Sequence, residues 1–272
     1  MAANLQQQRI GILGLGTMGS AIARGLLAAG VARSRLLGAE RRAAQRRRVT
    51  RALRIRVGAD VAAVVRRSDI VLLAVKPQEL EPVLAAIRMT GARPLLISIA
   101  AGITTRCIAT RTGRLPVVRA MPNTAARIGH AMTAVARGGT ATSQHLALAH
   151  ALFRTVGETI DVPERLMDAV TAVSGSGPAY FFWLTHELAR AGTAVGLPRA
   201  VAERLARQTA IGSAGLLARY VEPPAALIAQ VASKKGTTEA ALKVFTRRHM
   251  SAIVRDAVRA AARRAKELSC SS

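Results

Sequence analysis

Apolar residues follow two different rhythms along this chain, and the change between them divides it. Up to Val162, short apolar runs alternate with stretches whose apolar positions recur every three or four residues. The runs predict β-strands over 10–13, 34–39, 53–57, 69–75, 94–99, 115–119, 133–136 and 158–162. Several carry no polar interruption, as in a parallel strand covered on both faces, and I-V-L-L-A-V at 70–75 is the clearest. Between them the spacing predicts helices: one carrying Ile22, Leu26 and Leu27, a short arginine-rich one at 41–48, one capped by Asp60, then 79–88, one N-capped by Thr104, and 143–153. Strand and helix in alternation imply an α/β domain around a mostly parallel sheet with right-handed crossovers. From Pro163 onward the strand pattern stops. Helices are expected over 165–173, 178–195, 199–219, 224–231 and 237–267, the last broken near Arg248. Their faces are rich in Ala, Gly and Ser, which permits close helix–helix approach and calls for a second subunit to bury them. The expected organisation is an α/β domain over 1–162 and an all-α domain over 163–272.

Composition changes this picture little, except in charge. A chain of 272 residues can bury a sizeable core in two domains. Half of it is apolar, but no stretch of ~18 residues runs without charge or strong polarity, so no membrane span is expected. Residues 1–8 lack the basic-then-apolar order of a signal peptide. Cys107 and Cys270 are far apart with no metal-ligand spacing, and a reduced, cytoplasmic location without a metal site is expected. The net charge of +25 comes almost wholly from arginine, since lysine occurs only at 76, 234, 235, 243 and 266. A nucleic-acid surface would gather these cations on one face among aromatics, yet aromatics are 3% and the arginines are scattered. The densest group, Arg41-Arg42 with Arg46-Arg47-Arg48, lies in one short helix. An arginine-biased surface that sticks weakly to polyanions is expected, with no specific nucleic-acid partner.

The first candidate for chemistry follows the first strand. Gly14-Leu15-Gly16-Thr17-Met18-Gly19 fits G-x-G-x-x-G between a strand and a helix. Gly14 allows the tight turn, Gly16 lets a pyrophosphate touch the backbone, and Gly19 lets helix pack on strand. The helix N-terminus presents free N–H groups and a positive dipole end to the phosphates. This makes the α/β half a Rossmann-type dinucleotide domain. Glu40, at the end of the second strand, is placed to hold ribose hydroxyls, which favours NAD. Arg41 and Arg42 follow at once and would welcome the 2′-phosphate of NADP. Two cations against one anion tilt the expectation to NADPH, with NADH left open. Lys76, after the fourth strand, lies at the carboxyl edge where open α/β sheets bind ligands.

Two glycine-rich tracts interrupt the helical half. Ser174-Gly175-Ser176-Gly177-Pro178-Ala179-Tyr180 gathers hydroxyls and free N–H groups at a helix start, with Pro178 suited to the first turn. Ser233-Lys234-Lys235-Gly236-Thr237-Thr238 again runs into a helix. Each could be ordinary capping. Together, beside a dinucleotide domain, they read as a cradle for a carboxylate.

These tracts, with A-V-K-P-Q at 74–78, S-I-A-A-G-I at 98–103 and R-A-M-P-N-T at 119–124, closely resemble those of the pyrroline-5-carboxylate reductase family, in order and spacing over nearly the whole chain. The resemblance implies reduction of 1-pyrroline-5-carboxylate to L-proline by NADPH or NADH. It also implies a homodimer with interlocked helical dimerisation domains, sometimes assembled further. Carried onto this sequence, it makes Gly14, Leu15, Gly16, Thr17, Met18, Gly19, Arg41, Ala74, Val75, Lys76, Pro77, Ala101, Gly102 and Asn123 the cofactor-binding set. Ser176, Ser233, Gly236, Thr237 and Thr238 become substrate-binding residues, with Thr238 the partner of the ring nitrogen and Glu222 a candidate to hold or gate that nitrogen. Two departures stand out. The family's last tract usually has two adjacent glycines, and Lys235 replaces the first; if that position requires φ > 0, lysine strains it by ~1 kcal/mol or more. Ala125 replaces the proline of N-T-P. The alternative reading is a β-hydroxyacid dehydrogenase, which shares a similar glycine opening but uses a helical-domain lysine as acid–base. No lysine follows the 174–180 tract until Lys234. His130, His145, His150, His186 and His249 show no ligand spacing.

Overall fold

The structure, a computed structural model, describes residues 5–270, with side chains to residue 268. The first residues of the 1–8 stretch and the Cys270 thiol lie outside the described residues. The chain opens with β1 (Ile10–Leu13), α1 (Thr17–Ala28), β2 (Leu36–Ala39), α2 (Ala43–Leu53), β3 (Arg56–Gly58), α3 (Val61–Val65) and β4 (Ile70–Leu73). It continues through α4 (Leu80–Met89), β5 (Leu95–Ser98), α5 (Thr105–Arg111), β6 (Val117–Met121), β7 (Ala131–Arg137), α6 (Ser143–Arg154) and β8 (Gly157–Asp161). Every later element among the described residues is helical: α7 (Met167–Val170), α8 (Gly177–Ala194), α9 (Arg199–Arg219), α10 (Pro224–Val231), α11 (Thr237–Arg247) and α12 (Met250–Cys270).

One sheet in the order β3-β2-β1-β4-β5-β6-β7-β8 forms the centre of the α/β half, parallel except where β7 runs against β6. The first six positions follow the doubly wound order, and the sheet reverses direction between β1 and β4. The loops leaving those two strands therefore share one crevice. The period of two in each strand divides the core. Ile10, Ile12, Ile70 and Leu72 face the layer holding Ile22, Leu26 and Phe153, while Leu13, Val71 and Leu73 face Leu84, Ile87 and Ile108. Side chains from β1 and β4 are all buried, which is why their runs carry no alternation. Asp60 caps α3 by accepting from the Ala63 N–H, and Thr104 caps α5 by accepting from that of Cys107, as their positions predict.

Three elements depart from the sequence pattern, the first being the arginine-rich helix, which begins at Ala43 and leaves Arg41 and Arg42 ahead of it. The strand expected from Leu53 begins only at Arg56, because α2 keeps Leu53 and Arg54 turns left-handed at φ 54°. The helix expected over 165–173 is three short pieces: a 3-10 turn, α7, and a π turn over Thr171–Gly175.

The chain divides into two compact units, one up to Gly175 together with the chain from Ala261 onward, the other Ser176–Ala260. In the second unit the buried apolar side chains are Ala189, Ala202 and Ala206, and a Cβ on Gly192 would come 3.1 Å from that of Ala202. The small residues thus bring α8 and α9 into close contact. Its large apolar side chains, Phe181, Phe182, Trp183, Val195 and Val221 among them, are more than half exposed. Among the described residues no helix is long and apolar enough to cross a membrane.

Candidate functional site

The glycine turn after β1 is shaped by what its glycines exclude. Gly14 has φ 92°, and a Cβ there would stand 2.7 Å from the Ala74 carbonyl oxygen. The turn is held on both sides: the Gly14 N–H donates to the Ala39 carbonyl at 2.8 Å, and the Ala74 N–H to that of Leu13 at 2.8 Å. A Cβ on Gly19 would reach 2.1 Å from the Gly14 carbonyl oxygen, so α1 rests directly on the turn. A Cβ on Gly16, the N-cap of α1, would meet nothing within 4 Å. That open space lies at a helix start whose N–H groups have no intrahelical acceptor, which is what a pyrophosphate requires. Leu15 is fully buried, and its carbonyl accepts from Ser20 Oγ at 2.8 Å and Gln45 Nε2 at 2.6 Å.

A cleft of about 470 Å³ opens beside this turn. Of the predicted cofactor residues it gathers Gly14, Gly16, Arg41, Ala74, Val75 and Lys76. Val61, Pro82 and Val83 supply an apolar flank able to take an aromatic ring, and Arg42, Gln78 and Glu79 complete the polar side. Glu40 lies at its edge, nearly buried. Its Oε2 accepts from the Leu15 N–H at 3.2 Å, and its Oε1 from the Arg42 N–H and Nε, both at 3.1 Å. Burial alone would raise this carboxyl. The Arg42 and Leu15 donors outweigh it and hold Glu40 below the ordinary glutamate value. Arg41 pairs instead with Glu79, Nη2 to Oε1 at 2.9 Å. Thr17 lines a second, arginine-rich cleft with Arg24, Arg42, Arg48 and Arg127.

The remaining predicted residues of this unit lie elsewhere along the sheet's end. Pro77 starts a 3-10 turn, and Ala101 and Gly102, the latter at φ 81°, form the turn after β5. Asn123, beyond β6, accepts from the Ala125 N–H at 3.2 Å and donates through Nδ2 to Ser174 Oγ at 3.3 Å. That bond joins two of the sequence tracts, R-A-M-P-N-T and the π turn carrying Ser174. Ser176 is the N-cap of α8, with Pro178 in the first turn. In the second unit Gly236 caps α11, so Thr237 and Thr238 occupy its first two positions. A Cβ at 236 would press to 2.3 Å from Ser233 Oγ, and the Gly236 N–H donates to the Ser233 carbonyl at 3.0 Å. Glu222 is exposed in the link between α9 and α10.

The comparisons with known proteins bear on this geometry. A family model described as pyrroline-5-carboxylate reductase dimerisation matches residues 164–268, and one described as NADP oxidoreductase, coenzyme F420-dependent, matches 9–102. The pyrroline-5-carboxylate reductase of Synechocystis is 41% identical over 96% of this chain and 98% of its own length. This chain belongs to the pyrroline-5-carboxylate reductase family. The Arabidopsis thaliana enzyme of that name is 36% identical over 96% of this chain and 95% of its own. Among solved structures, a pyrroline-5-carboxylate reductase from Coxiella burnetii superposes with TM-score 0.90 at 32% identity, covering 96% of this chain and 98% of its own. The Plasmodium falciparum pyrroline carboxylate reductase, solved with NADP bound, superposes with TM-score 0.83 at 26% identity, over 97% and 99%.

Within the family pattern, Lys235 is the departure with a structural cost. It stands at φ 59°, in the left-handed region where the family usually places glycine. Its N–H donates to the Glu239 carboxylate, which also binds Lys243 at 2.8 Å. Lys243 first, then the Lys235 N–H, hold Glu239 below the ordinary value. Sequence reasoning missed Glu79, Val61, Pro82 and Val83 as cleft residues. The signal available for Glu79 was its place directly after the A-V-K-P-Q tract.

Proposed function

We propose that this chain reduces 1-pyrroline-5-carboxylate to L-proline, the last step of proline synthesis, with NAD(P)H. The observation carrying this reading is kinship over 96% of the chain to an enzyme of that name, joined to a glycine turn with an open cleft beside it. When bound, NAD(P)H supplies the hydride that reaches the imine carbon.

The protein's own contribution is orientation and charge placement. The N–H groups opening α1 and the Lys76 and Arg41 cations hold phosphate. The start of α11, with the hydroxyls of Ser233, Thr237 and Thr238, holds the substrate carboxylate in the field of the helix N-terminus. Gly236 keeps that approach open, and Ser176 adds a hydroxyl at the start of α8. Thr238 Oγ accepts from the protonated ring nitrogen, keeping the proton where it makes the imine carbon electrophilic. Glu222 is the carboxylate assigned to hold or gate that positive nitrogen. Asn123, tied to Ser174, fixes the tract that leads into α8. A homodimer with interlocked helical domains, open to further assembly, accounts for the exposed apolar faces of the second unit, and the cytoplasm is the compartment that suits the chain.

The β-hydroxyacid dehydrogenase alternative fails for want of a group. Its acid–base lysine has no counterpart between Tyr180 and Lys234. The test sets pyrroline-5-carboxylate with NADPH or NADH against small hydroxy acids with the oxidised cofactors. Turnover of the imine alone supports the proposal, and turnover of a hydroxy acid alone overturns it.

A further inference from the structure

We propose that Glu79 is a specificity-determining residue of the cofactor cleft: it competes with a 2′-phosphate for Arg41, and so limits how strongly NADPH is preferred over NADH. The inference rests on the NAD(P)H reading above.

Glu40 holds the position at which an acid would bind ribose hydroxyls, but its oxygens are already committed. Oε2 accepts from the Leu15 N–H and Oε1 from two donors of Arg42, and the residue is only 7% exposed. Turning this carboxylate toward a diol would leave the buried Leu15 N–H unpaired. Arg42 is bound to Glu40 in return, and Arg46 Nη1 is spent on the carbonyls of Glu40 and Arg41, at 2.9 and 2.6 Å. Arg41 is different. Among the described residues its guanidinium pairs with Glu79 alone, from the turn after β4 on the other side of the cleft, at 2.9 Å. The Arg41 side chain is 83% exposed and that of Glu79 45%, so the pair spans an open part of the cleft.

An exposed ion pair of this kind is weak and exchanges readily. A phosphate dianion offers more charge and a bidentate match to guanidinium, so a 2′-phosphate takes Arg41 from Glu79. The displaced carboxylate then stands beside a dianion. NADH, with a bare hydroxyl at that position, neither breaks the pair nor meets the repulsion. Glu79 therefore acts against NADPH alone.

The test is equilibrium titration of NADPH and NADH, followed by the fluorescence of the reduced nicotinamide, on the unchanged chain and on Glu79→Gln, Arg41→Ala and the double variant. Matching thermal midpoints for Glu79→Gln and the unchanged chain exclude a folding effect. The expected result is a rise of about threefold in the ratio of NADH to NADPH dissociation constants in Glu79→Gln. On the Arg41→Ala background the same change leaves the ratio unmoved. A ratio that stays constant in Glu79→Gln, or that rises equally without Arg41, overturns the inference. Failure of the unchanged chain to bind either cofactor would instead overturn the NAD(P)H reading on which it stands.

Discussion

At the scale of single residues, Lys235 is where this chain departs most plainly from its family. A non-glycine residue at φ 59° costs about 1–2 kcal/mol, while glycine costs about 0.5–1 kcal/mol in unfolded-state entropy. Replacing Lys235 by glycine should therefore raise unfolding stability by about 0.5–1 kcal/mol in a urea titration at fixed subunit concentration. A loss would show that the lysine's own contacts outweigh its backbone conformation. Glu40 gives a prediction with a sign in pH. Its carboxyl is held below the ordinary value, so its contribution is present above that value and lost as pH falls through the folded one. Glu40→Gln should lower the melting temperature at neutral pH, and the gap should narrow in acid below the ordinary glutamate range. Because Glu40 braces the turn that both cofactors share, the same variant should weaken NADPH and NADH alike. Selective loss of NADH would make it a ribose ligand.

At the scale of elements, the sequence was most legible where a requirement is local. Gly19 answers to the Gly14 carbonyl five residues back, and the caps at Asp60 and Thr104 are equally short-ranged. The break between α11 and α12 falls at Arg248 and His249, as the pattern predicts. Leu53 was misplaced into a strand because no glycine announces the left-handed turn at Arg54. The cleft's far wall escaped for another reason. Pro82 and Val83 reach the cleft because β4 lies beside β1 in the sheet, and Val61 because β3 lies beside β2, adjacencies no spacing reveals. Gly19→Ala tests the contact between α1 and its turn. A methyl 2.1 Å from the Gly14 carbonyl must push the helix away. We expect a loss of about 1–3 kcal/mol of stability and at least tenfold weaker binding of either cofactor.

At the scale of the whole molecule, the second unit carries the clearest unmet requirement. Its buried apolar side chains are alanines, while Phe181, Phe182 and Trp183 stand more than half exposed on α8. Sedimentation, in enough salt to suppress binding of polyanions to a chain of charge +25, should give at least twice the chain mass. Phe182→Asp should shift it toward the single chain and lower activity with it. A stable, active monomer would contradict the reading of these faces as covered in a homo-oligomer.

The reaction itself is tested most directly by mixing the purified chain with pyrroline-5-carboxylate and NADPH, then measuring in one sample the cofactor oxidised and the L-proline formed. Reduction of the imine to proline requires the two in equal amounts. Oxidation without proline, or no oxidation of NADPH or NADH by a folded assembly, would contradict it.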